Sequence, residues 1–108
     1  MSDIFSLVYE FPSKTKAGQA FNAVRNLIHL HTCELGGYRT LVNGNRWLVI
    51  VVGEKPTLTL EKALVKALET FGGKEEQAPE GIVAALYFRH FAQTYGRGQE
   101  WNEESYDN

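Results

Sequence analysis

YRTLVNGNRWLVIVV, residues 38 to 52, is the segment from which the architecture is read. Asn43-Gly44 between two apolar runs marks a two-residue β-hairpin, because a type I′ turn needs positive φ at both central positions. Closing the turn there pairs Val42 with Asn45, Thr40 with Trp47 and Arg39 with Leu48. Tyr38, Thr40, Val42, Trp47, Val49 and Val51 then share one face, with Arg39, Leu41, Arg46, Leu48, Ile50 and Val52 on the other. WLVIVV is apolar at every position, as expected for a central strand covered above and below. Two helices cover one face of a small sheet, so the other needs a third helix or a second copy of the chain.

Upstream, IFSLVYEF (4–11) alternates as a strand, with Phe5, Leu7, Tyr9 and Phe11 on one face. Pro12 ends it, and Ser13 is placed to cap a helix reaching about Thr32. Its expected core stripe is Ala20, Phe21, Val24, Leu27, Ile28 and His31, at helical spacing. The end of this helix reads HLHTCE (29–34), which raises the question of a metal site. Residues two apart on a helix sit roughly 200° apart, so His29 and His31 face opposite ways and cannot share an ion. A histidine at a helix C-terminus is favoured by the dipole without any metal, and no metal or cofactor is expected.

Downstream, TLTLEKALVKALETF (57–71) predicts a second helix, capped by Thr57 or Thr59 and ended by Gly72-Gly73. GKEEQ reads as a solvated link. EGIVAALYFRHFAQTY (80–95) fits a helix or a fourth strand. As a helix it groups Ala84, Ala85, Tyr87, Phe88, Phe91, Ala92 and Tyr95 on one broad side, with Ile82 and Leu86 off it. Residues 1–95 form one α+β domain in this reading, and 96–108 a flexible acidic tail with Trp101 and Tyr106 as docking points. The order is that of a small ferredoxin-like-type βαββα(α or β) sandwich: a three- or four-stranded, antiparallel-rich sheet with helices packed on one face. The third strand lies between the first and second. The likeness is to a topology, which hosts many unrelated functions.

The 108 residues suit one domain with a real core, and 44% hydrophobic with 22% charged is an ordinary globular balance. A formal charge of −2 provides no general basic field for nucleic acid. A nucleic-acid surface would have to use Arg39, Arg46, Tyr38 and Trp47, but this hairpin register points the arginines and the aromatics to opposite faces. The single Cys33 excludes an internal disulfide and suits a reducing cytoplasm. MSDIFSLVYEF has no basic or long apolar leader region, and the longest apolar run is too short for a bilayer.

Chemistry is sparsely signalled. Arg39 and Arg46, on one face in this register, form a candidate carboxylate or phosphate grip. SKTKAG (13–18) offers a helix start with two lysines but lacks the phosphate-loop pattern. His31 and His90 are the candidate proton-transfer groups. Two tryptophans, five tyrosines and six phenylalanines exceed what a domain this small buries easily, which points to an interface. Its candidates are Tyr38, Trp47, Val49, Tyr87, Phe88 and Phe91. The leading expectation is a non-catalytic, self-associating module, a homodimer that recognises a protein or small ligand. The alternative is a small cofactor-independent enzyme of the dimeric ferredoxin-like kind, with a pocket holding His31, His90 and Arg39.

Overall fold

The computed structural model describes residues 4–31, 35–97 and 102–106, with side chains as far as residue 89. The elements are β1 (Phe5–Phe11), α1 (Lys14–His31), β2 (Leu35–Val42), β3 (Arg46–Gly53), α2 (Leu58–Thr70), β4 (Lys74–Glu75), α3 (Ile82–Arg97) and β5 (Asn102–Tyr106). They build one sheet in the order β4-β1-β3-β2-β5. The first four strands of that order are mutually antiparallel, and β5 joins β2 in parallel. Strand order and direction are consistent with a ferredoxin-like-type sandwich. The fourth strand is not residues 80–95, which are helical. It is the two-residue β4, inside the link expected to be solvated.

The helices start and stop where local chemistry dictates. Ser13 caps α1: its side-chain oxygen accepts from the Lys16 N–H at 3.2 Å and its carbonyl from Ala17 at 3.0 Å. Thr57 does the same for α2 through the Leu60 N–H, at 3.3 Å. At the far end of α2, Gly72 takes φ +88°; its N–H bonds the Glu69 carbonyl, and that of Gly73 the Leu68 carbonyl, both at 3.0 Å. These crossed bonds are a Schellman closure, which needs a left-handed residue at the position of Gly72.

The hairpin corrects the expected register. Asn43 and Gly44 do have positive φ (55° and 74°), and the Asn45 N–H bonds the Val42 carbonyl at 3.3 Å. Val42 nevertheless pairs with Arg46 rather than Asn45, so the loop holds three residues, not two. A slip of one residue moves every side chain of one strand to the opposite face relative to its partner. Tyr38, Thr40 and Val42 therefore lie with Leu48, Ile50 and Val52, while Trp47, Val49 and Val51 lie with Arg39 and Leu41.

Two cores result. Phe5, Leu7, Tyr9, Phe11, Val49 and Val51 pack under α1 and α2, against Ala20, Val24, Ile28, Leu60, Leu64 and Leu68. Val8, Tyr38, Val42, Leu48, Ile50 and Val52 pack on the other face against Ile82 and Leu86 of α3. Helices thus cover both faces, and β3 is buried from Leu48 to Gly53 within a single chain. Of the two covers expected for that face, a third helix or a second copy, the structure shows the helix, α3.

Asn102–Tyr106, expected to lie in a mobile tail, instead form an edge strand along Tyr38–Val42. The outer edge of β2 presents unpaired backbone groups, and a short strand laid beside it satisfies them.

Candidate functional site

α3 is the element whose placement the sequence misread. Only Ile82 and Leu86, one turn apart, are buried against the sheet, with Val83 and Tyr87 half-buried beside them. Part of the side that looked core-like faces away: Ala84 and Ala85 are exposed, and Phe88 is 67% exposed. The Phe88 ring meets Tyr87 edge-on, with centroids 5.7 Å apart and planes at 77°. Positions 91, 92 and 95 continue the same helical arc in the sequence as phenylalanine, alanine and tyrosine; their side chains lie outside the described residues. Branched aliphatics fit the gaps over a flat strand layer of Val, Leu and Ile, so Ile82 and Leu86 take the inner side. Among the described residues, Ala84, Ala85 and Phe88 are left outward, so α3 carries apolar side chains on both flanks. A helix of that kind is expected to be covered on both.

Beside the start of α3 runs an open groove of about 420 Å³. Ser6 and Val8 of β1 form its floor; Glu75, Glu76, Gln77, Pro79 and Glu80 form one wall, and Val83 and Ala84 the other. Among the described residues lining it none is cationic, and three are acidic. A second depression of about 470 Å³, near Phe11, Pro12 and Gly72, carries both Lys74 and the acids Glu10 and Glu76, so its charge selects no ligand.

The two arginines do not meet. Arg46 lies on the α3 face, its Nε and Nη2 donating to Oε1 of Glu10 at 3.2 and 3.1 Å. Arg39 lies on the opposite face, its guanidinium 5.8 Å from the Phe21 ring centre and close over Gly18. The expected anion grip is therefore corrected by the register shift that also moved the hairpin faces. Of the other cations near aromatic rings, Lys14 lies 5.4 Å from the Trp47 ring centre and Lys55 5.4 Å from that of Phe5.

His31 is also corrected: it is exposed, with Nδ1 2.9 Å from the Leu27 carbonyl of its own helix. His31 borders neither the acidic groove nor the depression near Phe11. The His90 side chain and all of Cys33 lie outside the described residues. Among the described residues, no three His, Cys, Asp or Glu side chains gather as metal ligands would. Tyr38 and Val49 are fully buried, and Trp47 is half-buried on the α1–α2 side. Of the described side chains in the expected interface set, Phe88 is the large exposed one, with Tyr87 half-buried beside it; the Phe91 side chain lies outside the described residues. No described helix is long and apolar enough to cross a membrane.

Comparison of the chain with protein-family models, with curated proteins and with solved structures found no match. The functional reading therefore rests on geometry. The acidic groove had no signal in the sequence, because Ser6 and Glu76 become neighbours only once β4 folds back beside β1.

Proposed function

We propose that this protein is a non-catalytic binding module that self-associates through the outward side of α3. The observation that supports the reading is Phe88, a large aromatic left 67% exposed on a helix whose opposite flank is already committed to the sheet. Exposed aromatic surface is enriched in interface cores, where rings supply large apolar area. A second copy is the favoured occupant. Two equivalent α3 helices crossing about a twofold axis would cover each other's Ala84, Ala85 and Phe88 with one self-complementary patch.

Sedimentation velocity over a concentration series tests this, comparing wild type with Phe88→Glu. Wild type is expected to shift from monomer to dimer with rising concentration, and the variant to stay monomeric with an unchanged circular dichroism spectrum. A wild-type chain that stays monomeric up to about 1 mM, where only contacts weaker than roughly 4 kcal/mol escape detection, would overturn the reading.

A further inference from the structure

We infer that the half-open edge of β1 takes up an extended basic peptide as an added strand, seated along the acidic groove. β1 is paired with β3 along its whole length, from Phe5 to Phe11. On its other side β4 pairs with Tyr9 and Glu10, and the Glu76 N–H adds one bond to the Val8 carbonyl, at 2.9 Å. The chain then turns out of the sheet through Gln77–Gly81 towards α3. Among the described residues no strand lies beside Phe5–Leu7 on that side.

The backbone there is oriented for pairing. In an antiparallel strand the N–H and C=O of one residue point to the same side, and alternate residues repeat the direction. Val8 directs its carbonyl to the β4 side, as its bond from Glu76 shows, so Ser6 directs both its N–H and its carbonyl there too. Ser6 is exposed and forms part of the groove floor. An incoming strand in line with β4 would pair with Ser6, and its alternate side chains would fall towards the groove.

The wall selects the charge of that strand. Glu75, Glu76 and Glu80 are all exposed and line the groove. Glu80, just ahead of α3, also complements the positive end of that helix, whereas Glu76 lies on the edge itself. Lysine or arginine at every second position of the added segment would meet Glu76 and Glu80 while its backbone extends the sheet; Glu75, paired with Tyr9, falls on the α1–α2 face. Main-chain pairing provides affinity in this mode of recognition, and the side chains provide selectivity.

Fluorescence anisotropy with labelled peptides tests the inference. The probes are the alternating hexapeptides KVKVKV, EVEVEV and KGKGKG, titrated with wild type, Ser6→Pro, Glu76→Gln/Glu80→Gln and Phe88→Glu. KVKVKV is expected to bind Phe88→Glu at least as tightly as wild type, because Ala84 borders both the groove and the α3 patch and a dimer can only narrow access to it; loss of binding in Phe88→Glu would overturn the inference. Ser6→Pro, which removes an edge N–H without a partner strand, should weaken binding about tenfold, the loss of one hydrogen bond of roughly 1.4 kcal/mol. The double glutamine variant should weaken it several-fold and flatten its salt dependence. Equal binding of KGKGKG would mean plain charge attraction and overturn the inference. So would unchanged KVKVKV binding by a folded Ser6→Pro, or a Ser6→Pro protein whose only change is in its association state, which would assign the edge to a second copy.

Discussion

Two residues show how single positions hold this fold. Gly73 follows the left-handed Gly72 at the end of α2, and a Cβ built there would lie 2.6 Å from the Phe11 ring and 2.7 Å from the Leu68 carbonyl oxygen. A ring can pivot, but that carbonyl is fixed by its bond from the Gly73 N–H. Gly73→Ala must therefore open the Schellman closure or displace Phe11 from the core, and should cost about 1–3 kcal/mol, the usual range for overpacking. Urea denaturation measures this, with Gly44→Ala as a control in open space whose only strain is its positive φ. Tyr9 tests the electrostatics of the same corner. Burial, and then the carboxylates of Glu75 and Glu69, hold its phenol above the ordinary value of 10.0. Below about pH 10 the phenol is neutral in both the folded and the unfolded chain and adds no pH dependence. As the pH rises further, the unfolded chain releases a proton that folded Tyr9 retains, so stability falls with pH until the folded phenol ionises as well. Denaturation midpoints between about pH 9 and 11 should thus fall more steeply for wild type than for Tyr9→Phe. Parallel curves would remove the shift.

At the level of elements, the hairpin offers the sharpest test. Asn45 is a third loop residue, and Val42 already faces Arg46 across it. Deleting Asn45 leaves Asn43-Gly44 as a two-residue turn with Val42 still opposite Arg46, so the burial pattern of both strands is kept. We expect the deletion variant to fold, with stability within about 1 kcal/mol of wild type, as surface loop changes usually allow. If Val42 faced Asn45 instead, the same deletion would swing the WLVIVV side chains to the wrong faces, and the variant would not fold. Thermal denaturation and the dispersion of the amide NMR spectrum separate the two cases. The episode also marks how far sequence carries. Periodicity and caps gave both α1 and α2, because Ser13, Thr57 and the glycine pair act on neighbours within five residues. The central place of β3 was legible from its unbroken apolar run. Register was not: whether Asn45 sits in the loop or the ladder depends on which faces find helices to cover them. Arg39 and Arg46 were misassigned as a pair for that single reason, and His31 was placed on a stripe that ends one turn before it.

For the molecule as a whole, the question is which side of α3 belongs to the fold and which to function. The apolar projection of residues 80–95 was read as one broad core face, and the sheet took the narrower side instead, because Val8, Leu48 and Ile50 leave room for Ile82 and Leu86. What the sequence showed was the surplus of apolar surface on this helix; only packing could show which part was surplus. The two sides should respond differently to truncation. Leu86 is fully buried, so Leu86→Ala removes contacts from the roof of β3 and should lower stability by about 2–5 kcal/mol at any protein concentration. Phe88 touches solvent over most of its surface, so Phe88→Ala should change the stability of the dilute chain by no more than about 0.5 kcal/mol. Self-association adds a term that depends on concentration, because a partner that binds only the folded chain raises its melting temperature by mass action. The wild-type melting temperature should therefore climb as protein concentration is raised, and that of Leu86→Ala should climb in parallel from a lower start. That of Phe88→Ala should climb less or stay level. A concentration-dependent rise of equal size in wild type and Phe88→Ala would assign the contact to another surface, and the exposed ring would lose its claim to be the interface.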